Sequence, residues 1–329
     1  ILKIADMKSL LRFLRNWTLP VSIASGIAIY LVFALVPALD GAARVCGPIC
    51  DRILPLFMFL ILFVTFCKVD FRRLIPVRWM LWVGVVQVLF VALLTLLVVE
   101  YRLKDNSLII VEAIITCIIA PVAAAAPVVT AKLGGKLEQM TTYTFISNFI
   151  TALLIPVCFP LIDKAANVSF LTAFLTILHE VCMVLVLPML LAYLVKHGMK
   201  RLHRWVVSIN DLSYYMWGGS LLIVSGTTAK NIAHADTTLT FLLIIALLGL
   251  ILCIIQFAVG RFIGHYFGAT TESGQALGQK NTAFAIWIAY TYLNPLSSIG
   301  PGCYILWQNI INSVEIWLCR RRLGHELHT

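Results

Sequence analysis

Apolar runs of about 20 residues, separated by short polar connections, recur along almost the whole chain. A helix needs about 20 apolar residues to cross about 30 Å of hydrocarbon. The pattern predicts ten such helices, over roughly 19–39, 53–69, 79–99, 107–131, 138–161, 168–195, 211–229, 238–264, 272–293 and 299–319. Residues 1–17 differ: Lys3, Asp6, Lys8, Arg12 and Arg15 alternate with Ile4, Met7, Leu10, Leu11, Leu14 and Trp17 at helical spacing. This predicts an amphipathic helix lying in the membrane interface. A signal peptide fits less well, because the next apolar stretch is span-length and no small-residue cleavage pattern closes it.

Ten spans divide into two sets of five, and the odd number per half turns the second set upside down relative to the first. The expected organisation is a first inverted repeat over 18–161, a second over 168–319, and a basic tail over 320–329. Composition agrees with the pattern. At 61% apolar and 12% charged, with a mean hydropathy of +0.95, the chain lies outside the range of soluble globular domains. The expectation is an all-α, multi-pass integral membrane protein in contact with lipid on all sides. The net charge of +10 does not imply nucleic acid, because the basic residues sit in short loops and near the ends. With the N-terminus on the cytoplasmic side, 18 basic residues fall inside and 6 outside, which predicts cytoplasmic termini, in the inner membrane if the source is bacterial.

Nine cysteines carry no metal-ligand spacing and mostly read as apolar packing. Cys46-Gly-Pro-Ile-Cys50 falls in a predicted loop, where it could close a disulfide on an oxidising side. Asn167-Val-Ser169 matches a glycosylation acceptor in an outside loop.

Two spans are not filled like the others. Ala120-Pro-Val-Ala-Ala-Ala-Ala-Pro127 carries two prolines, each removing a backbone donor and clashing with the preceding turn. Ser273-Gly-Gln-Ala-Leu-Gly-Gln-Lys-Asn-Thr-Ala-Phe-Ala285 carries two glycines, several amides and Lys280. These are the fourth and ninth spans, equivalent positions in the two halves. Paired interruptions of this kind are the best sequence pointer to a transporter's binding site, since half-helix termini offer free N–H groups and dipole ends at mid-membrane. A charged side chain near the bilayer centre costs roughly 2.5–3.5 kcal/mol on insertion scales, so Lys280 calls for a partner or a purpose.

The residues around these breaks resemble the bile acid:sodium symporter family. Gly278-Gln-Lys-Asn-Thr-Ala-Phe-Ala285 is similar to its Gly-x-Gln-Asn-Ser-Gly-x-Ala signature, and other marks agree in order along the chain. They are Lys68-Val-Asp-Phe-Arg-Arg-Leu74, Gln87, Pro121 through Thr130, Thr144, and Trp307-Gln-Asn309. The resemblance implies ten helices, with a core domain of spans 3–5 and 8–10 holding two crossing broken helices. Spans 1, 2, 6 and 7 would form a panel domain. It also implies transport of organic anions, from bile-acid-like steroids to keto acids and pantoate-like carboxylates.

The departures concern sodium. Family members with sodium sites carry a glutamate four residues before the signature glutamine; here those positions are Ala276 and Lys280. The family's sodium-binding Ser-Asn pair falls on Ala126 and Pro127. A hard cation wants several oxygen ligands and some negative charge, which Gln87, Gln279 and Thr144 alone do not supply. The expectation is that the Lys280 ammonium takes the place of a bound sodium, bonding Gln87 and nearby carbonyls. Transport would then be sodium-independent, or proton-coupled if the lysine titrates, with no other cofactor. Direct pairing of Lys280 with the substrate and snorkelling to the interface are the competing readings. Asn281, Thr282 and the backbone near Ala124 and Ala125 would touch the substrate, supported by Gln308 and Asn309.

Among other ionisable groups, Glu112 is expected to reach headgroup water, His179 and Glu180 to bond each other or backbone, and Glu315 is a possible partner of Lys280. Trp79, Tyr101, Tyr214 and Trp317 read as interfacial anchors. A cation/proton antiporter would need mid-membrane carboxylates that both breaks lack, and a channel would show a filter-like repeat. No His-Glu-x-x-His, Gly-x-Ser-x-Gly or Asp-Asp constellation suggests an enzyme.

Overall fold

The computed structural model describes residues 18–162, 170–209, 212–234 and 237–326. The expected interfacial helix over 1–17 and the Asn167–Ser169 acceptor lie outside them. Every regular element described is helical: α1 (Thr18–Leu35), α2 (Asp40–Cys67), α3 (Arg78–Tyr101), α4 (Asp105–Ile119), α5 (Ala126–Lys132) and α6 (Leu137–Ile162). Then follow α7 (Phe170–Val181), α8 (Leu187–Gly198), α9 (Lys200–Ser208), α10 (Leu212–Ala233), α11 (Leu239–Tyr266), α12 (Thr270–Gly278), α13 (Thr282–Tyr292) and α14 (Ile299–Glu326).

Five helical stretches among the described residues are individually long and apolar enough to cross a bilayer: Pro37–Cys67, Arg78–Tyr101, Leu137–Ile162, Phe170–Gly198 and Leu239–Tyr266. The chain is an all-α integral membrane protein. Its outer faces are apolar: Leu89, Leu93 and Leu96 of α3 are 61%, 63% and 65% exposed, while Gln87 on the opposite face is fully buried. That polarity is the reverse of a soluble protein's, and it suits a hydrocarbon surround.

Local sequence accounts for the interruptions. Between α7 and α8 the ladder widens into a π-helical turn over Cys182–Val186, just before Pro188, whose ring cannot donate to the carbonyl four residues back. α2 begins at Asp40, well before the predicted 53, so Cys46 and Cys50 lie on a helix rather than in a loop. The C-terminal end of α2 is held by basic side chains, as its dipole favours. Lys196 Nζ donates to Val69 O at 2.6 Å, and His203 Nε2 meets Cys67 O at 2.8 Å. Trp79 is no interfacial anchor: it is 1% exposed and donates to Gln139 Oε1 at 3.0 Å, pinning the start of α3 to α6. Tyr101 and Trp317 are exposed, at 74% and 56%.

Packing divides the helices into two sets. α1 and α8 lie against α10 and α2, while α3, α4, α5, α6, α11, α12, α13 and α14 pack largely among themselves; α6–α7 and α10–α14 contacts join the sets. The tightest approach in the larger set is α11 on α12, made possible by Gly260: a Cβ there would sit 2.4 Å from Ser273 O and 3.0 Å from Gly274 Cα. Backbone cannot retreat as a flexible side chain can. Gly260→Ala is therefore expected to cost about 1–3 kcal/mol by overpacking and to lower the melting temperature in detergent. Gly41→Ala, where nothing lies within 4 Å of the added Cβ, is the control expected to leave it unchanged or slightly raised.

Candidate functional site

The two unusual stretches are both broken, and the breaks meet. α4 ends at Ile119, with Ala120 already extended (ψ 142°), and α5 starts at Ala126 with Pro127 in its first turn, where a missing N–H costs nothing. On the other side α12 ends at Gly278, and α13 starts at Thr282 after Asn281, whose side chain accepts from Phe284 N. Where they cross, Val122 and Lys280 form an antiparallel bridge. Ala123 N donates to Gln279 O at 3.0 Å and Asn281 N to Pro121 O at 2.8 Å.

Breaking a helix in mid-protein frees backbone groups that must be paired. Val122 N donates to Ser147 Oγ at 3.0 Å, and Gly278 O accepts from Tyr304 OH at 2.8 Å. Gln308 clasps Lys280 from both sides, its Oε1 accepting from Lys280 N (2.9 Å) and its Nε2 donating to Lys280 O (3.2 Å). The carbonyls at the end of α4 receive Gln87 Nε2, at 3.0, 3.3 and 3.4 Å from Ile118, Ile119 and Ala120, and Thr151 Oγ1 at 2.8 Å from Ile119.

Lys280 completes this cluster. Fully buried, it extends its ammonium to Ile118 O at 2.9 Å and Ala120 O at 3.2 Å. No carboxylate pairs with it among the described residues. The counter-charge is instead the negative end of α4, where the dipole and freed carbonyls carry about half an elementary charge. Charge-assisted hydrogen bonds contribute about 1.5–3 kcal/mol each, so two of them with the dipole offset a desolvation cost of several kcal/mol per ion. The lysine points neither to lipid nor to bulk water.

The structure separates the residues singled out from the sequence. Gln87 does not bond Lys280 directly; the two donate to the same carbonyls, and Gln87 Oε1 has no partner among the described residues. Thr144 Oγ1 turns back to Met140 O at 2.9 Å on its own helix. Ala276 and Ala126 are fully buried in an apolar cluster with Trp79, Met80, Val83 and Tyr143. Gln308 serves the Lys280 backbone, and Asn281 and Thr282 serve the start of α13. Ala124, Ala125, Pro127, Gln279 and Asn309 line a cavity of about 1140 Å³ that also reaches Lys68, Asp70, Arg73, Lys132 and Glu138.

Several ionisable groups are placed otherwise than expected. Glu112 is 1% exposed, away from headgroup water, and accepts from Asn294 N at 3.2 Å. Glu315 pairs with Arg261 rather than Lys280, because both lie toward the other end of α12, where Glu315 also accepts from Gln275. Glu180 accepts from Tyr292 OH of α13.

Ser147, Thr151 and Tyr304 were missed in the sequence, although Thr144, Ser147, Asn148 and Thr151 stand at the spacing of one helix face. All four are buried, an arrangement that apolar span composition alone would not produce. Gln308→Leu, which strips both side-chain bonds from the Lys280 backbone, is expected to destabilise the protein by about 1–3 kcal/mol. Asn309→Ala, whose amide only bonds its own helix at Ile305 O, should be near neutral in the same thermal melt. Among known proteins, neither the models of described families nor the curated sequences give a match to this chain.

Proposed function

We propose that the chain is a secondary active transporter of a small organic anion, a divergent relative of the bile acid:sodium symporters in which Lys280 replaces a bound sodium ion. In this reading ten spans form two inverted five-helix repeats. The broken pairs α4/α5 and α12/α13 are the fourth and ninth spans, and the π-interrupted α7/α8 is the sixth. The larger helix set is the core domain, and α1, α2, α7, α8 and α10 are the panel that it moves against. The observation that carries the reading is the buried ammonium on the α4 carbonyls at the crossing of two broken helices. A mobile cation would otherwise be needed to satisfy those carbonyls at mid-membrane.

The cavity supports an inward-facing state. It lies between the two helix sets, with Thr65, Ser213 and Trp217 on one wall and the breaks on the other, and it reaches the basic end marked by Lys68, Arg73 and Lys132. Links between the sets tie the opposite end: Tyr292 to Glu180, and Asn231 Nδ2 to Ser298 Oγ at 3.0 Å. Alternating access would break these links as the cavity closes. Positive ends of α5 and α13 at the break favour an anion, and at the mouth three basic side chains outnumber Asp70 and Glu138. Sodium-coupled symport and cation/proton antiport are the alternatives. Both need negatively charged ligands near the crossing, where the structure has Ala276, Ala126 and Pro127.

Uptake of organic anions into proteoliposomes is the test. Uptake is expected to proceed equally with sodium or choline outside, and an imposed pH gradient tells uniport from proton coupling. Lys280→Gln, which restores the family's residue without its carboxylate, is expected to lower uptake at least tenfold in either salt. Strict dependence of the unaltered protein on a sodium gradient would overturn the proposal.

A further inference from the structure

The outer side of the larger helix set carries a second cavity, an apolar groove of about 460 Å³ between α3 and α6. It runs along α3 from Pro76 to Leu89, with Ile146 and Ile150 of α6 as its other side. Gly84 lines it and is buried, leaving no side chain in the groove; a Cβ there would sit 3.0 Å from Ile150 Cδ1. Leu81 and Leu89 on its rim are exposed, so the groove opens where hydrocarbon surrounds the protein.

Its length and one of its ends point to an occupant. Residues 78–89 of a helix rising about 1.5 Å per residue cover about 17 Å, close to half of the hydrocarbon core of about 30 Å. Arg78 opens the span-length α3, so the groove begins at a membrane edge and stops near the middle, the reach of one lipid chain in one leaflet. Arg78 is exposed and stands on the same helix face as Leu81 and Val85 of the groove. Trp79 Nε1 pins this end of α3 to Gln139, which brings the exposed Lys136, just before α6, to the same end. Neither basic side chain has an ion-pair partner among the described residues. The nearby carboxylates are engaged elsewhere: Glu272 is buried and accepts from Lys136 N at 2.7 Å, Asp70 pairs with Arg73, and Glu138 lines the large cavity.

We infer that this groove is a binding site for an anionic phospholipid, with one acyl chain lying between α3 and α6 and the phosphate held by Arg78 and Lys136. The inference does not rest on the transporter reading. Lipid tails are as apolar as the groove, so the chain gains packing contacts, while the headgroup charge supplies the selectivity. A guanidinium pairs a phosphate through parallel N–H bonds, and a zwitterionic lipid gains less because it brings its own ammonium beside the phosphate. The same two helices carry Gln87, Ser147 and Thr151, so a chain seated between them braces the elements that hold the crossing.

The test compares dioleoyl phosphatidylglycerol with dioleoyl phosphatidylcholine on the purified full chain in detergent, read by thermal shift and by native mass spectrometry of retained lipid. The anionic lipid is expected to bind about tenfold more tightly and to raise the melting temperature, whereas inorganic phosphate, which lacks a chain, should not. Arg78→Gln combined with Lys136→Gln is expected to bring the ratio close to one without moving the lipid-free melting temperature, because both side chains are exposed. Arg44→Gln combined with Lys104→Gln, exposed charges at the start of α2 and beyond the far end of α3, should leave the ratio as it is. Val88→Phe, which puts a ring into the groove, should weaken the binding of both lipids. Equal binding of the two lipids by the unaltered chain, a ratio that survives loss of Arg78 and Lys136 or falls equally in the other pair, or a shift reproduced by inorganic phosphate would overturn the inference. So would lipid retention indifferent to Val88→Phe, or a dimer of the chain that Val88→Phe dissolves, which would put a second copy in the groove.

Discussion

The organisation of this protein depends on a mutual need between one ammonium group and the end of one half-helix. The carbonyls of Ile118 and Ala120 are freed because Pro121 forces the residue before it, Ala120, out of the helical region, so the amides that follow cannot close the ladder, and Lys280 supplies donors that a water-poor interior otherwise lacks. The lysine in turn is tolerable in the membrane only because those carbonyls and the α4 dipole stand where a carboxylate would otherwise be needed. Gln87 and Thr151 share the same acceptors, so the four groups act as one polar network. Such a network is worth more complete than as a sum of pairs.

Everything around the crossing serves to hold it still. Gln308 grips the backbone of Lys280, Tyr304 takes the last carbonyl of α12, and Ser147 takes the amide of Val122. These partners come from α14 and α6, helices far apart in sequence, which is why the breaks are stable only inside the assembled set. Close backbone contact at Gly260 seats α12 against α11. Gln279 and Asn312 border the cavity beside this network.

The cavity has two walls, one from each helix set. One wall is the crossing, held by paired backbone groups. Its other wall belongs to α2 and α10, joined to the larger set near the far end by the side-chain links of Glu180 with Tyr292 and Asn231 with Ser298. Aromatic contacts such as Phe66 on Phe145 also join the sets. The alternating-access proposal places the exchange at this boundary and leaves the lysine pairing on the other side of the cavity.

Much of this was legible in the chain itself. Apolar runs of membrane-crossing length place the helices, because hydrocarbon demands internally paired backbone over a known thickness. Pro121, Pro127 and the glycines around Lys280 place the two breaks, because each residue's effect on a helix is local. What local chemistry could not decide was partnership. Nothing in the order of residues says that Lys280 would reach Ile118 and Ala120 rather than Gln87, that Glu315 would go to Arg261, or that Glu112 and Trp79 would be buried rather than meet the interface. The start of α2 at Asp40 was hidden for another reason, since its first turns carry Gly41, Arg44, Gly47 and Pro48 and do not look like span. Sequence alone determined which segments are helices and where two of them fail. The tertiary fold decided which of the freed groups meet, because hydrogen-bond partners across the bundle are set by how helices cross, and crossing angles leave no periodic trace along the chain.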